Sequence, residues 1–165
     1  MQPLIETDLK ESFGNASDAE LAQMSLPLDF PLTEWAHLDA FAWRDPRIAA
    51  RGYLVTELDG EPVGVVLRAA GANGSRHRAA ICNLCHTPQP GDQVELFSAR
   101  KAGPAGERGD SVGTYMCSDL GCQETVRLGR PAAPSEVIPS VREIERIEGL
   151  ARRTRAFVAD VLGAS

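Results

Sequence analysis

The chain has 165 residues, of which 43% are hydrophobic and 5% aromatic, and its formal net charge at pH 7 is -6. This length suits one domain and is short for two independent ones, and the apolar content is too high for a wholly disordered protein. No segment is strongly basic, which disfavours a broad phosphate-binding surface, so we expect no direct DNA binding. The first residues lack the basic and apolar regions of an export signal, and no long apolar run occurs, so we expect a cytoplasmic protein without a membrane span.

The N-terminal segment, residues 1–52, is predicted to form short helices separated by helix-breaking residues. Ser17 and Glu20 are spaced as a capping box, which marks the start of one helix. The region that follows alternates prolines with large apolar side chains. Trp35 and Trp43 are expected to pack in the core there, and a ligand-binding platform is the alternative interpretation.

Two hairpins are predicted further along the chain. The dipeptide Asp59-Gly60 lies between two β-rich runs and favours the positive φ angles of a tight turn. Residues 93–100 and 111–117 predict a second pair of strands, which a long exposed loop connects. Apolar residues at helical spacing over 139–163 predict an amphipathic C-terminal helix that Gly163 ends. The fold class is therefore α+β, and residues 53–165 are expected to form one unit that packs closely with the N-terminal segment.

The four cysteines form two pairs, Cys82 with Cys85 in CNLC and Cys117 with Cys122 in CSDLGC. Paired cysteines in a reducing compartment favour metal binding over disulfides. The first pair forms a turn that directs two sulfurs to one metal, and the second lies where a predicted strand leads into a helix. A knuckle, a hairpin and a ligand-bearing helix predict a treble clef around one structural Zn²⁺. Four protein ligands leave no open coordination position, which disfavours hydrolytic catalysis.

Other interpretations of the cysteines stay open at the sequence level. They are an iron–sulfur cluster, buried free thiols, a redox dithiol, and His86 as a ligand in place of one sulfur. The prolines that follow Cys85 oppose the helix on which a redox dithiol usually lies. Asp119 and Glu124 lie close to the second cysteine pair and are interpreted as solvated polar residues. No sequence signature of a common enzyme class is present, so we expect a non-enzymatic protein.

The stretches ICNLCHT and SVGTYMCSDLGCQETVR resemble the C-terminal treble-clef zinc finger of FusB-type fusidic acid resistance proteins, which bind elongation factor G. The similarity is strongest over about residues 80–130, and the upstream hairpin with WRDP and the final helix resemble the shorter actinobacterial members. The resemblance implies a binding protein that engages elongation factor G and promotes its release from stalled ribosomes. The resistance proteins have a larger N-terminal helical domain, so the resemblance does not extend to drug resistance. The zinc ligands that it implies are Cys82, Cys85, Cys117 and Cys122.

The residues that contact the partner are predicted on the second hairpin and its loop. The candidates are Phe97, Arg100, Lys101 and Tyr115. Core packing is the alternative for Phe97 and Tyr115. One rival function is a module for RNA or ribosomal RNA, which would use Arg76, Arg78, Arg100, Lys101, Arg127 and Arg130. Another is a redox or metal sensor in which Cys82 and Cys85 exchange zinc for a disulfide.

Overall fold

A five-stranded antiparallel sheet is the centre of the structure. The structure is a computed structural model that describes residues 1–71, 74–127 and 139–164, and for residues 139–142 it describes the backbone alone. The strands are β1 Ala40–Arg44, β2 Arg51–Leu58, β3 Glu61–Ala69, β4 Ala79–Ile81, β5 Pro88–Pro90, β6 Val94–Arg100 and β7 Ser111–Cys117. The helices are α1 Glu6–Glu11, α2 Asp18–Ala22, α3 Gly103–Glu107, α4 Cys122–Arg127 and α5 Pro139–Leu162. The strands of the central sheet lie in the order β1-β2-β3-β6-β7. This arrangement confirms the α+β class.

The β2–β3 hairpin turns at Asp59-Gly60, as predicted. Asp59 has a φ of 53° and Gly60 a φ of 86°, which is the pair of positive angles that a two-residue hairpin turn needs. β1 was not predicted, because its five residues follow a proline-rich stretch and are too few to show a clear alternation. β1 pairs along β2, which begins at Arg51. The boundary predicted at residues 52 and 53 lies inside β2, and the division of the chain at that point stays a prediction.

The second hairpin is formed by β6 and β7, with register partners from Val94 and Cys117 to Arg100 and Ser111. The connection between these strands is not a plain loop as expected, because it contains the short helix α3. Pro104 near the start of α3 supplies the backbone angle that a first helical turn requires. Between β3 and β6 the chain forms a small separate sheet of β4 and β5.

Alternation along the strands divides the buried side chains between the two faces of the sheet. We call the face that packs on α5 and the four cysteines the cysteine face. Its apolar residues include Leu54, Val65, Leu67, Phe97, Met116, Leu150, Val158 and Val161. We call the opposite face, which α1 and the N-terminal segment cover, the aromatic face. Its buried residues are Leu9, Phe13, Met24, Trp35, Trp43, Tyr53, Val55 and Val66. Trp35 and Trp43 thus belong to the core.

Buried polar groups attach the N-terminal segment to the sheet. The capping box of Ser17 and Glu20 forms as predicted at the start of α2. The side chain of Asn15 accepts a hydrogen bond from Val66 N and donates to the carbonyl oxygens of Val66 and Arg100. β3 and β6 pair over only two register positions, so this amide connects the two strands where they separate.

The C-terminal helix α5 is a 24-residue element that packs against α4 and across β2 and β3. It ends before Gly163, whose φ is 69°, as the sequence predicted. Leu150, Val158 and Val161 on its apolar side are buried, whereas Ile144 near its start is 54% exposed. Among the described residues, no helix is both long enough and apolar enough to cross a bilayer.

Candidate metal centre

The sulfur atoms of the four cysteines come together in a buried cluster. The Sγ atoms of Cys82, Cys85, Cys117 and Cys122 all lie within 4.8 Å of one another. Cys82 Sγ is 3.5 Å from Cys122 Sγ, and Cys85 Sγ is 3.7 Å from Cys117 Sγ. Sulfurs at about 2.3 Å from a tetrahedral zinc ion are separated by about 3.8 Å, whereas a disulfide requires about 2.05 Å. The four residues are therefore positioned to bind one zinc ion and are not joined by disulfides.

The first cysteine pair lies in a tight knuckle between β4 and β5. His86 N donates to Cys82 O at 2.9 Å, and Cys85 N donates to Cys82 Sγ at 3.4 Å. His86 has a φ of 55°, a left-handed conformation that lets the chain reverse directly after the second ligand. Its side chain is exposed and is not part of the ligand cluster. His86 therefore shapes the knuckle through its backbone, and the alternative in which it replaces a sulfur is wrong.

The second cysteine pair spans the turn between β7 and α4. Cys117 is the last residue of β7, and Cys122 is the first residue of α4. Leu120, with a φ of 61°, donates its N–H to Cys117 O, and Asp119 Oδ1 accepts a hydrogen bond from Gly121 N. Strand, knuckle and helix thus each supply ligands, which is the treble-clef arrangement that the sequence predicted. Asp119 shapes the turn and is not a ligand.

Groups around the sulfurs are arranged to support an anionic cluster. Gln89 Nε2 donates to Cys117 Sγ at 3.5 Å. Arg153 of α5 donates from Nε to the carbonyl oxygen of Leu84, inside the knuckle, at 2.6 Å. Such contacts orient the ligands and offset the negative charge that thiolates bring to a metal.

The four thiols are so close together that the protonation of each one changes the pKa of the others. Hydrogen bonds from the thiols of Cys117 and then Cys122 lower the pKa of Cys82 to about 7. The thiol of Cys117, followed by those of Cys82 and Cys85, raises the pKa of Cys122. Four adjacent thiolates are stable together only beside a cation, and a divalent metal supplies that charge as it displaces the protons.

Comparison with known proteins agrees with this geometry. The chain matches, over residues 8–161, a family model described as the FBP C-terminal treble-clef zinc-finger. The chain belongs to this family. The match runs from α1 into the last turns of α5, so it includes the aromatic face as well as the cysteines. It confirms the resemblance to the FusB-type zinc finger. None of the curated proteins and none of the solved structures matches the chain.

Two of the four predicted partner contacts point towards the cysteine face. Phe97 is completely buried there, and the guanidinium of Arg44 lies 5.2 Å from its ring centre. Lys101 Nζ lies 2.9 Å from Asp160 Oδ1 of α5. Phe97 is thus a core residue, which corrects its interpretation as a surface contact. Lys101 is engaged with the C-terminal helix.

The other two candidates, Arg100 and Tyr115, lie on the opposite side of the β6–β7 hairpin. We call this surface the open sheet face. It is formed by Leu96, Ser98 and Arg100 of β6 and by Ser111, Gly113 and Tyr115 of β7. Tyr115 is 53% exposed, and its register partner Leu96 is 37% exposed. Leu96 was not predicted, although it alternates with the buried Phe97, and that alternation was the signal available in the sequence.

The basic residues of the rival RNA-binding model are mostly engaged in ion pairs. The pairs are Arg76 with Asp92, Arg100 with Glu20, Lys101 with Asp160, and Arg127 with Asp39. Arg130 lies outside the described residues. A surface that binds phosphates needs cations that are free and grouped, and ion pairs with carboxylates oppose that role.

Proposed function

We propose that the chain is a non-enzymatic zinc-finger protein that binds elongation factor G through the open sheet face and promotes its release from the ribosome. The observation on which this proposal rests is the exposed cross-strand pair of Leu96 and Tyr115 on the hairpin that carries a zinc ligand. Membership of the zinc-finger family supports a binding role. The identity of the partner follows from the resemblance to elongation factor G-binding proteins.

The knuckle supports the position of Tyr115. Asn83 N donates to Tyr115 O at 2.8 Å, and Asn83 Nδ2 donates to Thr114 Oγ1 at 3.0 Å. Asn83 lies between the two knuckle cysteines, so the metal that fixes the knuckle also fixes β7. An exposed tyrosine on a rigid strand loses little conformational entropy on binding, and tyrosine is enriched among the residues that dominate protein interfaces. Zinc therefore contributes to binding by pre-organising the contact surface.

Two arginines lie on the same side of the sheet as this apolar pair, towards the other end of β6. Arg100 on β6 and Arg68 on β3 have side chains that are 48% and 64% exposed, and both approach Glu20 of α2. Charges at the edge of an interface mainly accelerate association and select the partner by electrostatic complementarity. Both arginines are paired with Glu20, so the proposed contact rests on the apolar pair and not on charge.

A non-catalytic role also agrees with the metal site. Four sulfurs complete a tetrahedral shell, and a zinc ion without a free position does not activate water. Among the described residues, the four cysteines are the only group of potential metal ligands that comes together. The metal then acts as a structural cross-link.

Binding of the zinc-loaded chain to purified elongation factor G, measured by biolayer interferometry, tests the proposal. Combining Leu96→Ala with Tyr115→Ala is expected to weaken binding about thirtyfold, because both changes truncate central apolar contacts. Ile144→Ala is the control, since Ile144 is as exposed as Tyr115 but lies on α5. No association at micromolar concentrations would contradict the proposal. Binding to ribosomes without elongation factor G, with a steep loss on addition of salt, would favour the RNA-binding alternative.

A further inference from the structure

β1 is the edge strand of the sheet, and its outer side offers unpaired backbone groups. Asp45 N donates to Arg51 O at 2.9 Å, which makes this register position a hydrogen-bonded pair. Every second position along an antiparallel pair is bonded in the same way, so Trp43 and Phe41 also bond to β2. The backbone N–H and C=O groups of Ala42 and Arg44, and those of the buried Ala40, therefore point away from β2. In the part of the chain that the structure describes, no backbone group from outside β1 bonds to them.

A groove of about 620 Å³ lies along this free edge. Its floor is β1. One wall is built by the N-terminal segment from Pro27 to Leu38, on the aromatic side, and the other by the start of α4 and the turn before it, on the cysteine side. Leu32, in the first wall, is 81% exposed. We call this feature the edge groove. A strand edge between two walls fits an extended peptide, which can bond along the floor and contact both walls with alternate side chains.

The lining of the edge groove is acidic on both sides. The two arginines that line it are occupied, Arg44 with Glu95 at 2.6 Å and Arg127 with Asp39 at 3.1 Å. Four further carboxylates, all exposed, have no ion-pair partner among the described residues, and these are Asp29, Glu34, Asp119 and Glu124. A ligand that enters the groove therefore meets a negative potential that favours lysine and arginine.

We propose that the edge groove binds an extended, lysine- or arginine-rich segment of a partner protein, which adds a strand to β1. The acidic walls oppose RNA phosphates, and they also oppose a second copy of the chain, because pairing of two β1 edges would bring eight like charges together. β1 and β7 are the opposite edges of the sheet, so this site is separate from the open sheet face. It does not depend on the identity of the partner bound at that face.

A designed peptide provides a direct probe. It is a fluorescein-labelled decapeptide of threonine and valine with four lysines, two on each face of the extended chain. One control peptide carries glutamate in place of each lysine. The other is methylated on the backbone nitrogens of two adjacent central residues, which blocks both edges of the peptide without changing its charge. Fluorescence anisotropy should show binding of the lysine peptide, no binding of the glutamate peptide, and about tenfold weaker binding of the methylated peptide.

Variants of the protein, with the peptide unchanged, test the same site. Ala42→Pro removes a donor on the free edge while the bonds of residues 41 and 43 to β2 stay possible, and Ala42→Ser keeps the donor. Ala42→Pro is expected to abolish binding, and Ala42→Ser to preserve it. Zinc content and near-ultraviolet circular dichroism check that each variant is folded.

A pair of charge variants keeps the proposal testable if Ala42→Pro does not fold. Glu34→Gln with Glu124→Gln should weaken binding of the lysine peptide about fivefold at low ionic strength. Glu61→Gln with Glu107→Gln, which are exposed outside the groove, should have no effect. Equal binding of the methylated and parent peptides would overturn strand addition, and equal binding of the glutamate peptide would overturn the charge argument. A dimer that Ala42→Pro abolishes, without any peptide binding, would assign the edge to a second copy and overturn the proposal.

Discussion

The two faces of the central sheet are stabilised by different kinds of residue. On the aromatic face, Trp43 stacks on Tyr53 at 4.7 Å between ring centres, and Phe13 meets Tyr53 edge-on at 5.7 Å. Trp35 and Phe41 continue the cluster at 5.1 Å. On the cysteine face the buried residues are mostly aliphatic, and the four thiols lie among them. One face thus depends on large side chains, and the other combines aliphatic packing with a metal.

The difference follows from the length of the elements on each face. The knuckle strands β4 and β5 have three residues each, and α4 has six, so these elements bury little apolar surface of their own. A metal links such short pieces with binding energy that their burial does not supply. The aromatic face instead obtains its burial from rings that each remove a large area from water. Zinc is therefore most important where the chain offers the least hydrophobic surface.

Loss of the metal is expected to have the largest effect on stability. Cys85→Ser removes one buried ligand and with it structural-zinc binding energy on the order of 10 kcal/mol, which is comparable to the whole stability of a domain. Because β1, β2 and β3 contribute side chains to both faces, the near-ultraviolet signal of Trp35 and Trp43 should disappear together with the helical signal. Circular dichroism measures the tryptophan and helical signals, and metal analysis measures the zinc content.

The control for this experiment is Met116→Leu, which changes a fully buried neighbour of Cys117 at nearly constant volume. It should retain zinc and lose less than about 1.5 kcal/mol. If the metal-free Cys85→Ser chain kept the native tryptophan signal, the aromatic face would fold without the cysteine face. The two faces would then behave as separate domains.

The second-largest effect is expected at Asp45, the buried anion of the aromatic face. Its carboxylate accepts hydrogen bonds from Tyr53 Oη at 2.8 Å and from the backbone N–H groups of Arg47 and Ile48. Asp45→Ala would remove all of these bonds and leave the buried Tyr53 hydroxyl without this acceptor, at a cost of about 3 kcal/mol. Urea unfolding at pH 7 measures this loss. Asp59→Asn in the exposed hairpin turn is the control and should be neutral, because asparagine adopts the same turn.

The pH dependence of Asp45 gives a sharper test of the same contacts. Burial pushes the pKa of this carboxyl up, but hydrogen bonds from Arg47 N and the Tyr53 hydroxyl outweigh it and hold the pKa below its usual value. The stabilisation by the Asp45 carboxylate is therefore fully present above the usual aspartate pKa of about 4. It is lost as the pH falls through the lowered pKa of the folded state. The difference in unfolding free energy between the natural chain and Asp45→Asn should be constant from pH 7 to about 4 and decrease below it. A difference that grew with acidity would contradict this assignment.

The elements that could be predicted were those encoded locally. The turn at Asp59-Gly60 requires two positive φ angles that its residues tolerate, and the capping box of Ser17 involves groups three residues apart. β1 could not be predicted, because it is a strand only through its pairing with β2 and the packing of Trp43 on Tyr53. Asn15 illustrates the same limit, since its hydrogen bonds to Val66 and Arg100 join segments far apart in the sequence.

The zinc ligands could be predicted because cysteine chemistry restricts them. Buried thiols at these spacings have few other roles, and all four meet in space. The exposure of the proposed partner contacts could be predicted only in part, because it depends on which side of a hairpin faces solvent. Phe97 and Leu96 are adjacent in sequence and similar in character, yet the first is buried and the second exposed. Hydrophobicity alone does not distinguish them, whereas the position of α5 does.

The third-largest effect on stability is expected at Arg153, which connects α5 to the knuckle through Leu84 O. Arg153→Met retains the apolar stem but removes the hydrogen bond and the positive charge beside the thiolates. We expect a loss of about 1.5 kcal/mol in stability and about tenfold in zinc affinity. Competition with a chromogenic chelator measures the affinity. Arg152→Met, on the exposed side of the same helix, should change neither quantity, and an equal effect there would show that net charge alone is responsible.

The smallest effect is expected at His86, where the knuckle uses a left-handed backbone with a φ of 55°. His86→Gly removes the steric cost of that conformation but increases the freedom of the unfolded chain, and the two contributions are similar in size. Stability should therefore change by no more than about 0.5 kcal/mol, and zinc affinity should not change. His86→Val is the comparison variant in which backbone strain is increased, because a β-branched residue tolerates positive φ poorly. This variant should weaken zinc binding. If His86→Gly released the metal, the imidazole would contribute to the site directly, and the cysteine face would not rest on four sulfurs alone.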